Sequence, residues 1–283
     1  MTVIAAPDSF RSVAAGKSGP RWFLSDVAVL AARSLARIAR EPETLLNVTV
    51  QPVMFVLLFV YVFGGAIPLP GGGSYREFLV GGMLGMGLAS TAPATAVALA
   101  ADMGTGLIDR FRSLPMSQAA VLAGRTVADL AGQVIGTVVV AAVGLAVGWR
   151  VHTSAAQALA AFGLALLFGY AFTWLGVCLG MVLRSAEAAQ QAGFLLFLPL
   201  TFCSSAFVPT QGMPGWLQAV ADWNPLSALA GACRQLFGNP DPVAGLRSWP
   251  VLHPELTVVL WSGALLVLCA PLAVFLFRRK ARG

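Results

Sequence analysis

Few side chains in this sequence could carry out chemistry, and their placement does not assemble a catalytic site. The two histidines, His152 and His253, lie in different polar stretches far apart in the chain. The sequence has neither the HExxH pattern of zinc hydrolases nor the GxSxG pattern of serine hydrolases, and no two acids share one apolar stretch. We therefore expect that this chain is not an enzyme and holds no catalytic residue, metal or cofactor of its own.

One acid, Asp129, lies inside a long apolar segment, four residues after Arg125. Side chains four residues apart meet on one face of a helix, so the two can form an intramembrane ion pair. Because charged groups at membrane depth are often functional, a proton relay or substrate site is the alternative interpretation. The local partner favours the structural ion pair.

The four cysteines show no CxxC spacing. We expect them to be buried, small apolar side chains rather than metal ligands or disulfide partners. They are Cys178, Cys203, Cys233 and Cys269.

Composition places the chain in a membrane. It is 58% hydrophobic and only 11% charged, and six segments approach the ~20 apolar residues that cross a bilayer. A spanning backbone must satisfy its own hydrogen bonds, which segments of this length do as helices. The sequence therefore predicts an all-α integral membrane protein with six transmembrane helices within residues 48–277. The predicted spans are Val48–Ile67, Phe78–Ala101, Thr126–Gly148, Ala158–Leu183, Ala188–Val208 and Leu256–Phe277.

The basic residues set the orientation. With six spans, fourteen of the 18 Lys and Arg residues fall on one face, against Arg76, Arg150, Arg234 and Arg247 on the other. The positive-inside rule then puts both termini in the cytoplasm, including a basic tail over residues 278–283. This topology accounts for the basic pI, so we expect no nucleic-acid partner.

The N-terminal region divides in two. Residues 1–20 are rich in Ala, Ser, Gly and Pro and predict a disordered leader. Residues 21–41 show helical periodicity with Arg33, Arg37 and Arg40 on one face, which predicts an interfacial amphipathic helix against anionic lipids. Whether this helix is only a membrane anchor or also contacts a cytoplasmic partner is left open.

Residues 209–255 are predicted to form an external helical hairpin. Two short helices should begin at Pro214 and Pro225, since proline suits a first helical turn, and Asn224 should cap the second. Trp216 and Trp223 favour a position at the outer membrane interface.

Glycine pairs four residues apart recur in the spans and permit close helix approach, either within the chain or at a subunit interface. They include Gly81 and Gly85, Gly132 and Gly136, Gly144 and Gly148, and Gly176 and Gly180. Prolines within the spans should kink their helices. These are Pro52, Pro93, Pro199 and Pro271.

Between the second and third spans, residues 102–118 form a short polar island in which arginines alternate with apolar side chains. Phe111 and Leu114 could anchor in a groove on a partner protein while the arginines set the orientation. The alternative is a solvated loop whose arginines only serve the positive-inside bias.

Two stretches carry a family resemblance: residues 106–115 (GLIDRFRSLP), followed by Gly124 and Arg125, and residues 207–225 (FVPTQGMPGWLQAVADWNP), followed by Arg234. In this order and between these spans, they resemble the membrane subunit of a type-2 ABC exporter of the daunorubicin/doxorubicin-resistance group. Pro209, Pro214, Trp216, Asn224, Pro225 and Arg234 carry the external motif.

The resemblance implies a bacterial plasma-membrane permease that pairs with a second copy or a paralogue. Separate ATPase subunits would bind ATP and Mg and dock on a coupling helix at Asp109, Arg110, Phe111, Arg112, Leu114 and Pro115. The chain lacks the GxxxxGK[ST] phosphate loop. The implied cargo is a hydrophobic or amphiphilic drug, antibiotic or lipid-like metabolite. A polysaccharide or glycolipid exporter permease, or a proton-coupled transporter using Asp129, are the alternatives.

Overall fold

The computed structural model describes residues 42–70, 72–104, 118–183, 185–242 and 248–280, and for 42–48, 118–125, 128, 278 and 280 the backbone alone. The described residues contain helices and no strand, which confirms the all-α class. The helices are α1 Pro42–Leu58, extended by a π-helical turn Phe59–Phe63, α2 Tyr75–Ala89, α3 Thr91–Gly104, α4 Gln118–Ala146, α5 Ala155–Val182, α6 Ala186–Phe202, α7 Gly215–Trp223, α8 Pro225–Phe237, α9 Trp249–Leu252 and α10 Pro254–Lys280.

Among the described residues, four helical segments are long and apolar enough to cross a membrane: Tyr75–Gly104, Asp129–Ala146, Ala155–Val182 and Pro254–Phe277. The apolar part of the first predicted span, Thr49–Phe63, is shorter. The predicted end of the fifth span is wrong, because helix α6 ends at Phe202 rather than Val208 and has 17 residues. The six-span topology therefore stays a prediction, as do the leader and interfacial helix, which lie outside the described residues.

The second predicted span is two helices rather than one. α2 ends at Ala89, Ser90 interrupts the helix, and α3 begins at Thr91. The cause is Pro93, which has no backbone N–H to donate to the carbonyl four residues earlier and whose ring crowds that carbonyl. The second predicted span is thus divided near its middle.

Helix α5 is the central element of the bundle and packs against α3, α10, α8, α4 and α2. Its approach to α3 depends on glycine: a Cβ at Gly176 would lie 2.3 Å from the carbonyl oxygen of Ala92. Gly180 makes the same kind of approach to Ala96. These glycines act within the chain, whereas a Cβ at Gly132 would meet nothing within 4 Å.

The outward faces of the outer helices are apolar. Phe194 and Leu195 on α6 and Val267 and Leu268 on α10 are all largely exposed. Exposed apolar side chains on the outward faces of several helices suit contact with lipid chains rather than water.

Candidate functional site: a polar cluster at the hairpin end

The end of the bundle that carries α7 and α8, here called the hairpin end, contains a stretch of irregular backbone. Helix α6 includes Pro199 and ends at Phe202, after which the chain turns through residues 203–208. Carbonyl groups that leave a helix inside a protein need other donors, since an unpaired buried carbonyl is costly. The side chains that supply those donors define the candidate site.

Arg234, on α8, is the main donor. Its side chain is 1% exposed, and its Nε donates to the carbonyl of Phe78 at 2.9 Å. Its Nη2 donates to the carbonyls of Ser205 at 2.8 Å and Ala206 at 3.2 Å. The guanidinium carbon lies 3.6 Å from the centre of the Phe78 ring, a cation–π contact. One side chain thus joins α8 to α2 and to the segment after α6.

Asp241 supplies the opposite charge, with Oδ1 3.6 Å from Nη1 of Arg234. Burial raises the pKa of the Asp241 carboxyl, and the nearby guanidinium opposes that rise. A cavity of roughly 30 Å³ adjoins the pair and is also lined by Pro209 and Asp222. A space of this size with polar walls suits a single water molecule.

Asn224 organises the same segment from the start of α8. Its Oδ1 accepts the backbone N–H of Leu226 at 2.8 Å, which caps the helix that begins at Pro225. Its Nδ2 donates to the carbonyls of Leu200 and Cys203, both at 2.8 Å. The cap predicted from sequence is therefore present, and the same side chain also satisfies the end of α6.

Two further contacts complete the cluster. The Tyr75 hydroxyl donates to the carbonyl of Phe207 at 3.0 Å, and the backbone N–H of Ser205 donates to the Ser227 hydroxyl at 2.8 Å. Glycine makes room for the segment, since a Cβ at Gly82 would lie 1.9 Å from the Ala206 carbonyl oxygen. The irregular backbone is thus enclosed by α2 and α8.

The loop between α4 and α5 holds the other end of α8. Helix α8 ends at Gly238, whose φ of 70° is the left-handed conformation that favours glycine. The next residue, Asn239, accepts the indole N–H of Trp149 at 2.7 Å and donates to the carbonyl of Arg150 at 2.8 Å. Both ends of α8 are therefore fixed.

Polar contacts also tie the start of α2 to this loop. Nε2 of His152 lies 2.8 Å from Oε1 of Glu77, and Arg76 donates to the carbonyl of Val147 at 3.2 Å. The start of α2, the end of α4 and the end of α8 therefore meet at the hairpin end, as expected when successive spans run in alternating directions.

Helix α7 covers the cluster and presents an apolar surface. Trp216, Val220 and Trp223 are exposed on one face, while Asp222 on the other accepts the Ser248 hydroxyl at 2.7 Å. Pro214 precedes the first turn of α7. The amphipathic pattern is typical of a helix lying at a membrane interface.

The sequence placed Arg234 among the external arginines but did not anticipate its burial. Its surroundings contained the signal, because a lone arginine in the otherwise apolar stretch PLSALAGACRQLF must either reach water or find carbonyl and carboxylate partners. The external motif is thus split by the structure. Asn224, Pro225 and Arg234 lie in the cluster and Pro209 lines its cavity, while Trp216 is on the outer surface.

The predicted coupling residues Asp109–Pro115 and the interfacial arginines Arg33, Arg37 and Arg40 lie outside the described residues, as does the side chain of Arg125. Asp129 is described, and its Oδ2 accepts the hydroxyl of Thr95 at 3.1 Å. The proposed ion pair of Asp129 with Arg125 stays a prediction.

The cluster positions backbone rather than reacting groups. The nitrogens of Arg234 contact carbonyl oxygens and Asp241, so the charge is held in place rather than presented to a ligand. The four cysteines are free thiols, and no group of metal-ligating side chains occurs among the described residues. The arrangement can hold the helices firmly together at this end of the bundle.

Comparison with known proteins gives this architecture a family. The chain is 31% identical to a daunorubicin resistance ABC transporter permease from Streptomyces coeruleorubidus over 88% of this chain and 84% of that protein. It is 24% identical to a probable doxorubicin resistance ABC transporter permease from Mycobacterium tuberculosis, over 91% of this chain and 90% of that protein. It is 25% identical to a putative transport permease from Porphyra purpurea, over 77% of this chain and 76% of that protein. The model of the ABC-2 type transporter family matches residues 25–237, and the chain belongs to that family as a multi-pass membrane protein.

Proposed function

We propose that this chain is the membrane permease of an ABC exporter that moves a hydrophobic or amphiphilic compound out of a bacterial cell. The observation that carries the proposal is that the chain belongs to the ABC-2 type transporter family and that a buried polar cluster ties its helices together at one end of an apolar bundle. Such a bundle suits alternating access, in which a substrate enters from one end and the other end opens in one state only.

The orientation follows from the charge distribution. Fourteen of the 18 basic residues would face the cytoplasm in a six-span topology, which puts the hairpin end outside. The arginine-bearing segments 21–41 and 102–118 then lie on the cytoplasmic side, where separate ATPase subunits would bind.

ATP hydrolysis would come from those partners, which would hold ATP and Mg. Within the coupling loop 102–118, Phe111 and Leu114 supply apolar anchors and the arginines supply orientation. Closure of the ATPases on ATP would shift the permease toward its outward-open state by rigid-body movement of the helices. A second permease copy or a paralogue would complete the membrane unit.

The relatives support the substrate class, since two of those compared are named for resistance to daunorubicin and doxorubicin. The bundle offers few charges and several hydroxyl and amide side chains, such as Thr91, Thr95 and Gln133. Mild polarity of this kind suits an amphiphile better than a small ion.

Co-purification with a candidate ABC ATPase subunit from the same organism tests the proposal. We expect a stable complex that Phe111→Ala together with Arg112→Ala weakens at least tenfold, since buried interface anchors contribute about 2 kcal/mol or more. Arg184→Ala, which removes a basic residue from the other short cytoplasmic loop, is the matched control and should bind normally. A chain that binds no ATPase, or binds it equally well after the double change, contradicts the docking proposal.

Substrate class is tested separately in the assembled complex. We expect daunorubicin and doxorubicin to stimulate ATP hydrolysis in membrane vesicles, and a lipid-linked glycan to leave it unchanged. Stimulation by the glycan alone would assign the chain to polysaccharide or glycolipid export instead.

A further inference from the structure

Helix α4 carries polar side chains at every fourth position along one face. They are Asp129, Gln133 and Thr137, and a spacing of four keeps them on one side of the helix. Gln133 and Thr137 are more than nine-tenths buried. A polar row on the inward face of an apolar helix calls for partners on its neighbours.

Two of these side chains join α4 to different helices. Oδ2 of Asp129 accepts the Thr95 hydroxyl of α3 at 3.1 Å. Nε2 of Gln133 donates to the Thr173 hydroxyl of α5 at 2.8 Å, and Thr173 in turn donates to the carbonyl of Gly169 at 3.1 Å. These two bonds, one turn apart, form a polar ladder made of Thr95, Asp129, Gln133 and Thr173.

The ladder lies on the two helices that flank the coupling loop, α3 before it and α4 after it. Thr95 precedes the end of α3 at Gly104 by nine residues, and Asp129 follows the start of α4 at Gln118 by eleven. At 1.5 Å per residue, the Thr95–Asp129 bond is about 14 Å and about 16 Å from these two helix ends. Residues 105–117 connect α3 to α4 in the chain, so the bond links the two helices at similar distances from the loop.

Direct packing between α3 and α4 is slight, since each packs mainly against other helices, α5 among them. The bond between Thr95 and Asp129 is therefore a direct link between α3 and α4. Gln133 adds a polar bond to the packing of α4 against α5, and close glycine packing joins α3 to α5.

We propose that Thr95, Asp129, Gln133 and Thr173 are positioning residues that transmit movement of the coupling loop to α5 and onward to the hairpin end. This inference rests on the proposed function. The ladder would keep α3, α4 and α5 moving as one body when the ATPases close.

Three threonines allow a matched experiment, since Val has nearly the shape of Thr without its hydroxyl. Thr95→Val breaks one rung and Thr173→Val breaks the other. Thr137→Val is the control, because it removes a hydroxyl from the same face of α4 that has no described partner. Thr95→Ser keeps a donor for the first rung and should behave as wild type.

The measurement is amide hydrogen exchange of residues 209–242 in the complex with its ATPase, compared between the nucleotide-free form and the form trapped with ATP and vanadate. We expect wild type and Thr137→Val to show a nucleotide-dependent change. Thr95→Val and Thr173→Val should each reduce it by about threefold, the size typical of one interhelical hydrogen bond, while ATP hydrolysis continues.

The outcomes separate the two proposals. A wild-type chain that binds no ATPase contradicts the proposed function and this inference with it. A wild-type response that persists in full in both Thr95→Val and Thr173→Val contradicts the ladder alone. An equal loss in Thr137→Val would show a general loss of packing and would also contradict it.

Discussion

The Arg234 cluster and the polar ladder use the same kinds of side chain in opposite ways. In the cluster, Arg234 and Asn224 bond to backbone carbonyls of α2, of the end of α6 and of the segment that follows α6. In the ladder, Asp129 and Gln133 bond to hydroxyls of neighbouring helices. Loss of a cluster bond strands a buried backbone group, whereas loss of a ladder bond leaves every helix complete.

This difference sets how much each region contributes to stability. A buried charge bonded to several carbonyls has few alternative arrangements, because each alternative leaves buried polar groups unpaired. Interhelical side-chain bonds contribute on average only ~0.6 kcal/mol each. The hairpin end should therefore keep one arrangement at a large cost to disrupt, whereas the ladder should add little to stability and serve mainly to link α3, α4 and α5.

The comparison is tested most severely by Arg234→Met. The change leaves Asp241 and the carbonyls of Phe78, Ser205 and Ala206 without their donor, so we expect the free energy of unfolding to fall by about 3–5 kcal/mol. Thermal unfolding of the purified chain in detergent measures this. Arg150→Met, at an exposed arginine that bonds nearby carbonyls, should cost under about 0.5 kcal/mol. Equal effects of the two changes would remove the distinction drawn here.

Asn224 allows its two roles to be separated. Asn224→Ala loses the cap of α8 and both donations to the end of α6, for about 2–3 kcal/mol in the free energy of unfolding. Asn224→Asp keeps an oxygen for the cap but loses the donations, and should recover only the part due to the cap. If Asn224→Asp were as stable as wild type, the carbonyls of Leu200 and Cys203 would not need this residue.

Gly82→Ala tests how closely the irregular segment is enclosed. Its Cβ would overlap the Ala206 carbonyl, so we expect a loss of about 1–2 kcal/mol despite the better helix propensity of alanine. Gly132→Ala, where nothing lies within 4 Å, should instead gain up to ~1 kcal/mol. The two midpoints of thermal unfolding should shift in opposite directions, and a shift in the same direction would contradict the close approach.

The smallest effect is expected in the ladder. Thr95→Val should lower the free energy of unfolding by only ~0.6 kcal/mol. Thr137→Val should not lower it, because the buried hydroxyl has no partner among the described residues and its removal relieves a desolvation cost. The same unfolding assay measures both. A loss of several kcal/mol for Thr95→Val would make the ladder as important to stability as the cluster and remove the distinction between the two regions.

Local signals in the sequence predicted local structure well. Pro225 after Asn224 predicted the start and cap of α8, and the composition predicted a helical membrane protein. The partners of Arg234 were out of reach, since Phe78 lies 156 residues away and contact over that distance leaves no periodic trace. Pro93 predicted a kink, and the break between α2 and α3 at Ser90 lies three residues before it.

Asp129 shows the same limit from another direction. The ion pair with Arg125 that the spacing predicts stays a prediction, and the additional bond that the structure describes, from Thr95, comes from another helix. Sequence spacing finds neighbours along one helix, whereas the approach of α3 to α4 is set by the packing of both against α5.

The long separation between Arg234 and Phe78 has a consequence for biosynthesis. Chains are made from the N-terminus, so α2 and α6 leave the ribosome before Arg234 does. The carbonyls of Ser205 and Ala206 therefore lack this donor until α8 has been made. The cluster cannot form before then, so a chain that ends before Arg234 should leave this stretch of backbone unpaired.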